Sequence, residues 1–99
     1  MKVTIHDVAK QDLRDGFDFY EAQDAGLGGY FFNTLLADIE SLRIYAGIHV
    51  KKSGYYRMLS SRFPYAIYYS LRDEDACVIA VLDCRRNPLY LKARLPKPF

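Results

Sequence analysis

Eight side chains in the second half of the chain have types suited to holding a phosphate or a base: Lys51, Lys52, Arg57, Arg62, Tyr68, Arg85, Arg86 and Tyr90. A guanidinium group meets phosphate with a planar fork of donors, and tyrosine adds a stacking face or a hydroxyl. Arg85 and Arg86 are adjacent, and they fall where a buried run ends and Pro88 follows. Each residue also has a plainer reading. Tyr68 and Tyr69 alternate on a strand, so one of them belongs to the core, and Arg62 flanks an apolar run. The other chemistries lack their residues. There is no nucleotide-binding loop and no nucleophile elbow. His6 and His49 are too far apart and too few for an easy acid–base pair, and with Cys77 and Cys84 they form no metal motif, so neither metal nor cofactor is expected.

The elements that must position these residues are readable from periodicity. Lys2 to Ile5 alternates and predicts a short strand. Asp7 is expected to cap a first helix whose apolar stripe is Ala9, Leu13, Phe17 and Tyr20, with Asp12, Asp15, Asp18 and Glu21 mainly on the other face. Gly16 weakens that helix by up to about 1 kcal/mol without breaking it. Gly26 suits a left-handed stop. A second helix starts near Leu27, with the stripe Leu27, Phe31, Leu35, Ile39 and Leu42, widened by Phe32, Leu36 and Tyr45, and it ends at Ala46-Gly47. The short connection makes the two helices antiparallel neighbours. Residues 48–54 read as a loop. Strands follow at 55–60, 63–71 and 76–82, with Asp73-Glu74-Asp75 as a hairpin connection and Pro64 at the start of its strand. Ala76 to Leu82 carries no polar residue, so it should be central and covered on both faces. Residues 89–95 read as a helix or a strand, and Pro96 and Pro98 end regular structure. The expected fold is α+β, in the order β-α-α-β-β-β, with a helical hairpin on one face of an antiparallel sheet. One domain is expected over 1–99: hairpin about 7–46, meander about 55–83, basic tail 84–99.

Composition sets the remaining bounds. The 99 residues include nine tyrosines and six phenylalanines, enough area for one core. No stretch of about 18 apolar residues predicts a membrane span, and the N-terminus lacks the features of a secretion signal. Cys77 and Cys84 would be roughly 20 Å apart on an extended strand, beyond the roughly 7 Å that a disulfide needs. They read as reduced, small apolar residues of a cytoplasmic protein, with a reactive thiol as the other reading. Residues 1–47 hold four basic and eight acidic residues, a formal −4, and residues 48–99 hold ten and four, a formal +6. That split points either to an acidic partner or nucleic acid for the second half, or to solvated surface charge.

Taken together, these segments resemble the RelE/ParE superfamily of bacterial type II toxin–antitoxin toxins. The residues that carry the resemblance are Tyr20-Glu21, Gly26-Leu27-Gly28, Arg57, then Arg62-Phe63-Pro64-Tyr65 with Ile67-Tyr68-Tyr69, and Ile79 to Leu82 followed by Arg85-Arg86-Asn87-Pro88. The resemblance implies a small toxin neutralised by an antitoxin encoded beside it. ParE-type members poison DNA gyrase; RelE-type members cleave mRNA on the ribosome without a metal. Many relatives carry a histidine where this chain has Asp83, and a second arginine where it has Tyr56, which favours the ParE side. The target-binding set is then Arg57, Arg62, Arg85, Arg86 and Tyr90. Under the endoribonuclease reading, Lys51 or Lys52 is the base, Arg57 with Arg85 steadies the phosphate, and Tyr90 is the acid. A third reading is a non-toxic binding domain that retains the fold. The +6 half calls for an antitoxin tail that is acidic and amphipathic, docked beside the hairpin or on a sheet edge in a hetero-oligomer.

Overall fold

The computed structural model describes residues 1–97. Pro98 and Phe99, the last two positions of the expected 84–99 tail, lie outside them. The order is β1 (Lys2–Ile5), α1 (Asp7–Gln23), α2 (Leu27–Glu40), a short turn of helix α3 (Leu42–Tyr45), β2 (Lys51–Lys52), β3 (Tyr55–Leu59), β4 (Tyr65–Arg72), β5 (Asp75–Asp83) and α4 (Pro88–Arg94). The α+β expectation holds, and the strands form one sheet in the order β1-β5-β4-β3-β2. The meander β3-β4-β5 is antiparallel as read, while β1 joins β5 in parallel, which makes the sheet mixed. No helix among the described residues is long and apolar enough to cross a membrane.

The hairpin α1–α2 covers one face. Leu13, Phe31, Leu35, Ile39 and Leu42 interlock there with Ile67, Tyr69, Val78 and Val81. The other face is covered as well. Tyr55, Ala66, Tyr68, Ala80 and Leu82 pack beneath Leu91 and Leu95, at and just beyond α4. This explains the unbroken apolar run of β5, and why Tyr68 and Tyr69 are both buried rather than one of them. They point to opposite faces, and a bulge between them shifts the register from Tyr68↔Ala80 to Tyr69↔Val78.

Four local expectations change. The cap of α1 is His6, whose Nδ1 accepts from Val8 N at 3.2 Å, while Asp7 occupies the first turn. The stretch read as a loop contains β2, closed on β3 by Ser53 (φ 56°) and Gly54 (φ 86°), the left-handed pair that a two-residue hairpin turn needs. The tail is a helix, with Asn87 as cap and Pro88 in its first turn. Asp12 is buried rather than on the solvent face. β1 pairs only as far as Ile5↔Val78, so the Val81 amide lies beyond it, and Asp12 Oδ2 accepts that amide at 3.0 Å. Its other oxygen takes Arg94 at 2.7 Å and ties α4 to α1.

The loop from the hairpin to β2 is pinned from below. The Tyr69 hydroxyl accepts the Gly47 amide at 2.9 Å and meets His49 Nδ1. With a lone pair given to Gly47, the hydroxyl proton is free to point at a neutral Nδ1. Burial lowers the His49 pKa, so the folded state favours the neutral ring. The unfolded chain binds that proton more readily. Stability is therefore full above about pH 6.5 and is lost as the pH falls from there toward the lowered folded value. Thermal melts between pH 7.5 and 5 should show this decline, and His49→Gln should flatten it. An unchanged slope in that variant would assign the decline to other groups.

Candidate functional site: a basic cleft under the last helix

On the face opposite the hairpin, a cleft of about 290 Å³ opens between β3, the end of β5 and α4. Its polar lining is Lys52, Arg57, Tyr68, Cys84, Arg86 and Lys92, with Ser53 at the rim; among the described residues it holds four cations and no carboxylate. Arg57 lies opposite Tyr68 in the β3–β4 register, so the two side chains share a face. Arg57 Nε donates to the buried Tyr68 hydroxyl at 3.2 Å, and Nη2 lies 3.6 Å from Cys84 Sγ. Neither contact neutralises the guanidinium. It is held by neutral groups and its remaining donors are open to an anion.

The structure divides the residues singled out above. Lys52, Arg57 and Arg86 converge on this cleft, and Lys92 joins them. Arg86 also lies over the Tyr90 ring at 3.9 Å and lines a neighbouring hollow of about 270 Å³ together with Tyr65, Asp83 and Arg94. Tyr90 belongs to that hollow, and its hydroxyl accepts from Arg94 at 3.2 Å. Arg85 turns to the hairpin side, where it pairs with Asp83 at 2.8 Å and reaches the Tyr20 hydroxyl at 3.4 Å. Lys51 sits 5.0 Å from the centre of the Tyr56 ring, and Arg62 is exposed in the β3–β4 connection. Of the five residues considered for RNA cleavage, only Lys52 and Arg57 meet.

Charge in the neighbouring hollow is internally balanced. The Arg85 hydrogen bond holds the Asp83 carboxyl below the usual range, against burial. Burial, then the Asp83 charge, pushes Tyr65 up to about 12, so it stays a neutral phenol. Burial opposes the Arg94 charge, and the hydrogen bonds it donates to Asp12 and Tyr90 outweigh that, raising its pKa. Among the described residues the basic cleft has no such counter-ions. Cys84 and Lys92 were not among the residues picked from sequence. Lys92 lies four residues before Pro96 on a segment whose helical state was open, and only a helix turns it toward β2.

No protein-family model matches this chain, and no curated protein matches it. A solved structure of the chromosomal ParDE TA system from P. aeruginosa contains a chain with the same fold. The TM-score is 0.72 at 15% sequence identity, over 82% of this chain and 92% of that one.

Proposed function

We propose that this chain is a ParE-like toxin of a bacterial type II toxin–antitoxin system. It inhibits DNA gyrase by binding, in the cytoplasm, and is neutralised by an acidic, amphipathic antitoxin. The observation that carries this reading is the fold shared with the ParDE system over most of both chains. The cleft supports it: four cations with no carboxylate or histidine among its described lining suit holding an anionic target better than moving protons. Purified protein should inhibit supercoiling and stabilise cleaved DNA. Arg57→Glu should weaken inhibition at least about tenfold, the loss expected when one well-placed charge contact worth about 1.4 kcal/mol is reversed. Its circular dichroism should match the wild type, since the Arg57 side chain bonds only through its guanidinium and the backbone bond from Arg57 N to the Val50 carbonyl survives the change. Normal gyrase activity at excess protein would remove this reading.

One observation favours an endoribonuclease instead: Lys52, Arg57 and the Tyr68 hydroxyl share one cleft. Lys52 would serve as base and Arg57 would steady the phosphate. Primer extension on mRNA from induced cells separates the two, because discrete cuts within translated codons require the nuclease. Unimpaired growth after induction without antitoxin would leave the non-toxic binding domain.

A further inference from the structure

The backbone of Arg86 is fixed on both sides. Its amide donates to the Asp83 carbonyl at 3.1 Å, and Asn87 beside it caps α4 by accepting from Leu89 N at 2.8 Å. The Arg86 side chain is exposed and makes no hydrogen bond or ion pair among the described residues. What meets it is the Tyr90 ring, 3.9 Å from the guanidinium carbon. A stacked guanidinium lays its face on the ring and keeps its N–H edges open to an anion. The ring is itself held. Tyr90 is half-buried, and its hydroxyl accepts from Arg94 Nη1 at 3.2 Å. Arg94 Nη2 donates to the buried Asp12 carboxylate at 2.7 Å, and the other Asp12 oxygen holds the Val81 amide at 3.0 Å. An unbroken line of contacts thus runs from the β5 backbone to Arg86.

Tyr90 lines the hollow and not the cleft, whereas Arg86 lines both. Any effect of Tyr90 on an anion in the cleft therefore passes through Arg86. We propose that Tyr90 is a positioning residue. Its ring, fixed through Arg94 and Asp12, holds the Arg86 guanidinium at the wall between hollow and cleft, ready for a phosphate-like anion in the cleft. This differs from the roles that the resemblance implies for Tyr90, a target contact or an acid. A free arginine gives up rotamer freedom when an anion arrives, and a stacked one has already given it up. Arg57 is prepared in a related way, by the Tyr68 hydroxyl at 3.2 Å. Each arginine of the cleft is thus fixed by a tyrosine, one through a hydroxyl and the other through a ring. Lys52 and Lys92 are exposed point charges on flexible stems. The inference rests on the reading that the cleft holds an anionic target.

The test is a double-mutant cycle with inorganic pyrophosphate as the probe. The isotope-labelled chain is titrated, and affinity is read from the arginine Nε–Hε signals. Tyr90→Leu keeps apolar bulk and removes the ring. It should weaken binding about two- to fivefold, an exposed cation–π contact converted to affinity, and should move the Arg86 Hε signal as the ring current is lost. Tyr90→Phe keeps the ring and should weaken binding less than Tyr90→Leu does. In an Arg86→Ala chain, Tyr90→Leu should have no further effect. An equal loss from Tyr90→Leu with and without Arg86 would make Tyr90 a support of α4 alone and overturn the proposal. Equal losses from the Phe and Leu variants would overturn it too, because the ring would then not matter. Should Tyr90→Leu unfold α4 by circular dichroism, the wild-type spectrum still decides. An Arg86 Hε signal there without a ring-current shift shows that the stack does not form, and the proposal fails. A wild-type chain that ignores pyrophosphate sinks the anionic reading of the cleft together with this one, whereas binding with an additive cycle sinks only the role of Tyr90. The supercoiling assay stands apart from both.

Discussion

Asp12→Ala is expected to destabilise the fold by about 2–4 kcal/mol, the range for breaking a buried ion pair when one partner keeps some solvent. The Asp12 side chain is 7% exposed and that of Arg94 27%, which places the loss below the upper limit of such pairs. Two groups lose their partner. The Val81 amide, past the end of β1, is left without an acceptor in a buried setting. Arg94 keeps only the Tyr90 hydroxyl, which carries no charge. Asp12→Asn retains one acceptor for Val81 but turns an amide or a neutral oxygen toward Arg94, so its loss should be about half as large. Urea unfolding followed by circular dichroism measures both. The functional consequence follows from α4, which walls the basic cleft and is otherwise held by Leu91, Leu95 and the Tyr55 hydroxyl on the Pro96 carbonyl at 2.7 Å. A loss under about 0.5 kcal/mol, the level of ordinary surface changes, would show that Asp12 is not the tie between α1 and α4.

The same aspartate marks where sequence reading stops. The hairpin and the meander were legible because their stripes repeat locally, as at Phe31, Leu35 and Ile39 or along Ala76 to Leu82. The sequence groups Asp12 with Asp15, Asp18 and Glu21 on the outer face, yet it lies three residues from Ala9 and four from Gly16, on the buried side of α1. Its charge argued for water, and the partner that reverses that argument is Arg94, 82 residues away. The site was legible in kind but not in arrangement. That Arg57 and Tyr68 matter was readable; that they share a face depends on the β3–β4 register. Arg85 and Arg86 look equivalent in sequence, yet Asp83 draws one to the hairpin side, while the other lies over Tyr90 between the hollow and the cleft. Lys51 and Lys52 were interchangeable candidates while residues 48–54 read as a loop. Once β2 is a strand, alternation sends them to opposite faces, and only Lys52 reaches Arg57.

Gly28→Ala is expected to cost about 2–3 kcal/mol, the overpacking range, although alanine is the better helix former. A methyl group at residue 28 would stand 2.6 Å from the Phe17 carbonyl oxygen and 2.8 Å from Glu21 Cβ. The first obstacle is backbone, which no side-chain rotation removes, so α1 and α2 must move apart. That movement disturbs two arrangements. The Glu21 carboxylate caps the start of α2 by accepting from Gly26 N at 3.0 Å and Gly28 N at 2.9 Å, which is the physical content of Tyr20-Glu21 facing Gly26-Leu27-Gly28. The buried Phe31 ring packs against Gly16, where any Cβ would overlap it, so the glycine that looked like a weakness of α1 is the seat of the largest fully buried α2 side chain. Gly29 is the control. Nothing lies within 4 Å of its Cβ direction, so Gly29→Ala should gain about 0.5–1 kcal/mol from helix propensity alone. Adjacent glycines thus carry opposite expected signs in the same urea titration. If the Gly28 and Gly29 variants unfold at the same midpoint, the close crossing of α1 and α2 does not exist in solution.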